Sequence, residues 1–251
     1  MLHPAVRRSL LRQRVLVEGG RMLAYAAAHL LDRAEQSADE AARRQAQDDA
    51  ALLTPVLKAF LTDNGFALAS DALQVFGGHG YVHDWGVEQC VRDARIAMVY
   101  EGTNQIQAID LVVRKIAADG GAKFAALLQR QAAALPGGAR HRAAALALLE
   151  RLGALAQQVV AAARADAELP FRVADDLLRA TGLALVAAAW ARADAVSAPR
   201  ARDGDAFHGA KCASAAHCFA QLLPEFDQAL AQARAGWQPF AAIEDLSLIH
   251  I

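Results

Sequence analysis

From Pro4 to about Ala38 the chain reads as one continuous helix, and this run constrains the fold more than any other feature. Pro4 suits a first-turn position, where its missing N–H would have had no intrahelical partner. Leu10, Leu11, Val15, Val17, Met22 and Leu23 supply apolar side chains along the run. At 1.5 Å per residue such a helix is roughly 50 Å long. A rod of that length belongs to a large helical bundle, because a compact small fold cannot cover it.

The rest of the chain keeps the same character. Ala, Leu, Arg, Gln and Glu dominate, all strong helix formers, and no long strand-like alternation appears. The expectation is an all-α protein. A polar stretch from Ala34 to Asp49 contains the turn or flank after the first helix, and a second helix is expected from about Ala50 to Phe76. Gly77-Gly78-His79-Gly80 ends it, since glycine supplies the positive φ of a helix C-cap and turn. A shorter helix is expected over Val87–Met98. Gly102-Thr103 breaks the pattern again, and Thr103 makes a good N-cap for a helix from Asn104 to about Ala118.

Asp119-Gly120-Gly121 is the first credible domain boundary. Beyond it, Ala-rich helices are expected near 122–134, 140–167, 171–197 and 206–234, separated by Leu135-Pro136-Gly137-Gly138, Glu168-Leu169-Pro170 and Arg202-Asp203-Gly204-Asp205. There is no fixed-period repeat, which argues against a solenoid. The division is therefore residues 1–118, 119–245 and a tail, 246–251, that reads as a non-native or truncated end.

Composition narrows the function classes. The 251 residues, 55% apolar and 21% charged, supply ample core for one large or two smaller domains. Lys+Arg 26 against Asp+Glu 27 leaves a net charge of −1, with no whole-molecule attraction to nucleic acid or an anionic membrane. Cys90, Cys212 and Cys218 cannot close a disulfide framework, and a reducing, cytoplasmic compartment is the simplest reading. Met1-Leu2-His3-Pro4 lacks the apolar run of a signal peptide, and no uninterrupted apolar stretch approaches the ~20 residues of a membrane span.

The chemistry-bearing stretch is Gln74 to Gln107. Its two glycine-marked breaks each place backbone N–H groups at or near a helix end, which suits anionic groups. Glu101 lies in the second break between Tyr100 and Gly102. A carboxylate at such a junction can point into a cleft, and desolvation there raises its basicity. Taken singly, a Glu before a helix is usually a dipole partner or a solvated residue, and a Gly pair is usually a helix stop. Their joint occurrence at this separation shifts the reading.

Elsewhere the signals are weaker. His208, Cys212, His217 and Cys218 cluster near the C-terminus, but Cys212 and Cys218 fall on different helix faces, so buried helical cysteines are expected and no metal site. Asp175-Asp176 are adjacent on a helix and do not face each other. A helix-surface or N-terminal cap role is expected for them. Arg92 and Arg95 read as ion-pair partners of Asp93 and nearby acids.

The runs QVFGGHGY from Gln74 and VRDARIAMVYEGTNQIQ from Val91 resemble the C-terminal helical bundle of the acyl-CoA dehydrogenase family. The resemblance extends back over LLTPVLKAFLTDNGF, Leu52–Phe66, and the first helix, covering about residues 3–118. Residues 119–245 are similar to the extra helical domain of a subgroup that includes 3-methylmercaptopropionyl-CoA dehydrogenases. RVADDLLRATGL from Arg172 and AKCASAAHCFAQLLPE from Ala210 carry that part. The resemblance implies a four-helix up-and-down bundle followed by a second helical domain.

It also implies α,β-dehydrogenation of an acyl-CoA thioester to the trans-2-enoyl-CoA, with FAD taking the β-hydrogen as hydride. Glu101 is then the base for the α-proton, and its backbone N–H binds the thioester carbonyl. Gly102 keeps that backbone accessible, and Tyr100 lines the acyl or flavin cavity, a core aromatic role being the alternative. Thr103 and Gln105 match positions that contact FAD. Gln74, Gly77 and Gly78 match the run that meets its ADP part from a neighbouring subunit. Electron-transfer flavoprotein and a homo-oligomer, dimer or tetramer, are the implied partners.

Complete members of the family also carry an N-terminal helical domain and a central β-domain, which this stretch does not resemble. The expectation is that this polypeptide alone binds FAD poorly, is inactive, and exposes apolar helix faces. An acyl-CoA oxidase and a non-catalytic interaction or oligomerisation module of the same fold are the alternatives.

Overall fold

The structure is a computed structural model that describes residues 3–236. Among these, all regular structure is helical, and no strand occurs. The first helix, α1, spans Pro4–Gln36, capped by His3, whose Nδ1 accepts from the Ala5 N–H at 3.3 Å. The second, α2, spans Glu40–Phe76, starting ten residues earlier than the polar stretch suggested. Asp39 caps it by accepting from the Ala41 N–H at 2.9 Å, and Arg44 pairs with Glu40 one turn on at 2.7 Å. The polarity of 40–49 is that of an exposed helix face stabilised by its own i,i+4 pair.

Gly77, at φ +60°, ends α2 as expected. A single turn, α3 (Gly78–Tyr81), and α4 (Val87–Ile96) follow. Thr103 then caps α5 (Asn104–Ile109), its hydroxyl accepting from the Ile106 N–H at 3.4 Å. The helix continues as a wider π-turn over Asp110–Ile116 and a 3₁₀ turn to Asp119, then stops at Gly120 and Gly121, both at positive φ.

Next come α6 (Ala122–Ala133), α7 (Arg142–Ala162), the short α8 (Leu169–Arg172) and α9 (Ala174–Arg202). The final stretch, expected as one helix, is α10 (Ala206–His217), a π-turn at Cys218–Leu222 and α11 (Pro224–Ala235). Pro224 donates no backbone hydrogen bond, so the helix restarts with the proline in its first turn. The tail 246–251 and the end of the second segment lie outside the described residues.

By length and composition alone, the helix α7 could cross a membrane. It nevertheless carries Glu150 and Arg151 mid-helix and turns Leu148, Leu149, Leu152, Leu155 and Val159 into the protein core.

The core is organised on α9, whose residues 183–191 are all buried. It packs against α1, α2, α5, α7, α10 and α11, so residues from both halves of the chain form one hydrophobic core. Two glycines permit close approaches between α9 and its neighbours. A Cβ on Gly182 would lie 2.4 Å from the Phe60 ring of α2, and one on Gly19 would lie 2.8 Å from Val186 Cγ1 and 3.0 Å from Trp190 Nε1. The fully buried Trp190 uses the space beside Gly19 to donate from Nε1 to the Val15 carbonyl at 3.0 Å. Arg130 of α6 is ion-paired with the buried Asp49 of α2, its Nε lying 3.0 Å from Oδ2. The apolar parts are thereby joined by a charged clasp.

Candidate active site

Why Glu101 stands where it does follows from the chain around it. The helix α4 ends at Ile96, and backbone turns at Met98, Val99 and Tyr100 carry the chain away from its axis. Glu101 then adopts φ +54°, the only positive φ of a non-glycine residue among the described residues. An L-residue with a Cβ is disfavoured there by roughly 1 kcal/mol or more. Gly102 follows at φ +84°. The pair reverses the chain so that Thr103 can cap α5.

Polar bonds to α2 hold this reversal. The half-buried Lys58 donates from Nζ to the Gly102 carbonyl at 2.6 Å and to Asn104 Oδ1 at 2.8 Å. Asn104, only 4% exposed, donates from Nδ2 to Asp63 Oδ1 at 2.7 Å and to the Ala59 carbonyl at 3.3 Å, while its backbone N–H reaches the Met98 carbonyl at 3.2 Å. Gln107 Nε2 closes the loop on the Glu101 carbonyl at 3.1 Å. The Glu101 N–H, by contrast, meets no acceptor among the described residues.

The side chain of Glu101 is exposed and not enclosed in an apolar cleft. Gly102, Thr103 and Gln105 are exposed beside it, and Tyr100, 51% exposed, is not a core aromatic. Gln74, Gly77 and Gly78 also lie on the surface, with open space where Cβ atoms of the two glycines would be.

Val75, Phe76, Tyr81, Trp85, Ile96 and Ile106, on the same stretch of chain, are each exposed as well. The helix α4 buries none of its residues. Exposed apolar helix faces were expected of this part of the chain, and exposed large apolar side chains gather where interfaces and ligand grooves form.

Two family models match. That described as "Acyl-CoA dehydrogenase, C-terminal domain" covers residues 1–116, and "Acetyl-CoA dehydrogenase C-terminal like" covers residues 112–244. The chain belongs to the acyl-CoA dehydrogenase family. It is 40% identical over 234 residues to the 3-methylmercaptopropionyl-CoA dehydrogenase of Ruegeria pomeroyi, an alignment covering 89% of this chain and 39% of that relative. It is 34% identical over 122 residues to a butyryl-CoA dehydrogenase of Syntrophomonas wolfei, covering 49% of this chain and 20% of the relative. With the cyclohexane-1-carbonyl-CoA dehydrogenase of Syntrophus aciditrophicus it shares 40% identity over 101 residues, 40% of this chain and 23% of the relative. The chain thus spans well under half the length of these acyl-CoA dehydrogenases.

Lys58 and Asn104, which fix the loop, were not singled out from the sequence. A Lys one turn before Thr62 on a helix looks solvated, and an Asn after an N-cap looks like an ordinary first-turn residue. Their meeting is a tertiary event between residues more than forty apart.

Other expectations divide. Asp175 and Asp176 lie in the first turn of α9, but Val173 is the N-cap and neither carboxylate caps the helix. Partial desolvation, and then the charge of Asp63, raises the carboxyl of the surface residue Asp175 above its ordinary range; desolvation and Asp175 do the same to the half-buried Asp176. Arg92 and Arg95 have no ion pair among the described residues, contrary to expectation. Arg95 lies over the Phe66 ring at 5.8 Å and near Met98 Sδ at 3.6 Å, while Asp93 accepts from Gln89 at 2.6 Å. The apolar side of α4's neighbours captured the guanidinium, and the nearer amide took the carboxylate.

Cys218 is fully buried, its thiol pushed up to about 12 by burial, as a core cysteine should be. Cys212 is only partly buried, so the expectation of buried cysteines holds for one of the two. His208 bonds to Ser197 Oγ and Arg200, each at 3.2 Å.

Proposed function

We propose that the native protein is an FAD-dependent acyl-CoA dehydrogenase in which Glu101 removes the α-proton of an acyl-CoA thioester. The observation that carries this is the backbone of Glu101. A non-glycine residue is held at positive φ, flanked by Tyr100 and Gly102, with its N–H unpaired. Strain of this kind persists only where surrounding bonds over-determine it, and it gathers at working sites.

The chemistry then follows from the residue. The α-proton of a thioester is weakly acidic, so the base must be close and aligned. As the proton leaves, negative charge develops on the thioester carbonyl oxygen, and a fixed N–H donor aimed there stabilises it. The Glu101 N–H is free for that acceptor. Tyr100 and Gly102 would border the acyl group.

The residues present fit FAD. Gly77 and Gly78 leave open backbone at the surface, and Gln74, Thr103 and Gln105 stand exposed with polar atoms to offer. These five would hold it, and when bound it supplies the two-electron acceptor for the β-hydrogen. The isolated chain is expected to bind it weakly, and the ADP-facing run to serve a second copy in a homo-oligomer. Electron-transfer flavoprotein as acceptor, a cytoplasmic location and two sequence units, 1–118 and 119–245, packed on one shared core, complete the reading. The 40% identity with an enzyme named for 3-methylmercaptopropionyl-CoA supports short or sulfur-containing acyl groups as substrates.

The test is dye-coupled oxidation of an acyl-CoA panel, including butyryl- and 3-methylmercaptopropionyl-CoA, by the native protein and its Glu101→Gln variant. Loss of the base should lower kcat by about 10²–10⁴-fold with flavin still bound. A fully active Glu101→Gln protein, or no oxidation of any acyl-CoA, overturns the proposal.

A further inference from the structure

We infer that Lys58 and Asn104 are positioning residues that hold Glu101 in its left-handed backbone conformation; the inference rests on the reading of Glu101 as the base. Left alone, Glu101 would relax toward negative φ, as L-residues do. What opposes this is the attachment of the residues on its C-terminal side. Lys58 Nζ is bonded at once to the Gly102 carbonyl (2.6 Å) and to Asn104 Oδ1 (2.8 Å), a charge-assisted pair spanning both sides of Thr103. Asn104 is in turn locked to α2 through Asp63 and the Ala59 carbonyl.

The loop therefore cannot rotate about Gly102 without breaking a hydrogen bond to an ammonium and uncovering a buried amide side chain. Losing either anchor frees the peptide between Tyr100 and Thr103, and with it the direction of both the Glu101 N–H and its side chain. Lys58 touches neither of these groups itself. Its effect passes through Gly102 and Asn104, on a helix whose own position is set by the core.

This attachment also joins the loop to the second half of the chain. Asp63, which receives the Asn104 amide, lies close enough to Asp175 at the start of α9 to disfavour its charge. Thr62 Oγ adds a further bond from α2, lying 3.2 Å from Asn104 Oδ1 and 3.0 Å from Asn104 Nδ2.

Two measurements test the inference, one of geometry and one of catalysis. In the 251-residue chain, amide hydrogen exchange across residues 99–106 is compared in wild type, Lys58→Met and Asn104→Ala. Exchange there should quicken at least about tenfold while α9 amides stay unchanged, because only a local opening is made easier. A double-mutant cycle adds Glu101→Gly. Glycine relieves the positive-φ penalty, so it should slow exchange of the loop in the wild-type background and lose that benefit beside Lys58→Met. Unchanged loop exchange in Lys58→Met, or an undiminished glycine benefit, overturns the inference.

In the native protein, Lys58→Met should lower kcat by about 10²-fold with KM changed little, as expected for misplaced reacting groups. Lys58→Gln, which keeps a donor without the charge, should lie between it and wild type. If Glu101→Gln abolishes turnover and Lys58→Met leaves kcat intact, the positioning role is wrong and the base assignment stands. If Glu101→Gln is itself active, the base assignment fails and the positioning role fails with it, whatever the exchange data show.

Discussion

Trp190→Phe should destabilise the whole molecule and not just the half of the chain that contains it. Trp190 lies in the middle of α9, fully buried, with Nε1 bonded to the Val15 carbonyl of α1. Phenylalanine keeps the six-membered ring and loses about three heavy atoms, costing roughly 2 kcal/mol at ~0.8 kcal/mol per buried carbon. The lost indole hydrogen bond adds about 1 kcal/mol. Val15 keeps its intrahelical bond, so no further penalty for an orphaned carbonyl arises. Any space beside Gly19 that the helices fail to close adds to this.

The expected loss is therefore about 3 kcal/mol, a large part of the 5–15 kcal/mol that holds a typical domain. Urea unfolding followed by far-UV circular dichroism measures it, the midpoint falling by roughly 1 M for a slope near 3 kcal/mol/M. Exchange protection in α1 and α9 should fall together. A loss below about 1 kcal/mol, or a separate transition that leaves α1 and α2 untouched, would refute a single core shared by both halves of the chain.

Gly182→Ala should cost about 1–2 kcal/mol net, since overpacking against the Phe60 ring at 2.4 Å outweighs the ~1 kcal/mol gain in helix propensity; calorimetry showing stabilisation would contradict the packing, and Phe60→Leu should restore part of the loss. Arg130→Met strands the buried Asp49 and should cost about 3 kcal/mol by chemical denaturation, while Arg130→Met with Asp49→Leu recovers most of it. Asp175→Asn and Asp176→Asn should raise Tm at pH 7, because both carboxyls are held above their ordinary range. The folded state binds these protons more tightly than the unfolded one, so their stabilising contribution is complete below about pH 4 and is lost as pH rises through the raised folded values. The variants' advantage should accordingly vanish in acid, and an equal gain at pH 3.5 and pH 7 would point elsewhere.

Much of this protein is legible in its residues because helices are local objects. Pro4, Gly77, Thr103, Gly120 and Gly204 act through the φ, ψ and hydrogen-bonding needs of their own turn, and each marks a boundary that the fold observes. The polar stretch 40–49 misled for a related reason. Polarity signals exposure, and an exposed helix face and a loop are equally polar until the capping bond of Asp39 is seen. The split at Pro224 and the π-turn before it were open to the same local reasoning, since a proline in a long helical pattern marks a restart.

The sequence alone determined that the chain is helical, where most helices begin and end, and that Glu101 sits in a glycine-marked break beside Tyr100. Each of these follows from interactions spanning a few residues. Only the tertiary structure decided that α9 gathers both halves of the chain around Trp190, and that Lys58 and Asn104 hold the Glu101 loop. Those bonds join residues separated by 175, 44 and 46 positions. Contacts at such distances depend on how helices dock, through glycines that leave room and side chains that fill it, and no local pattern in the chain encodes which partners will meet.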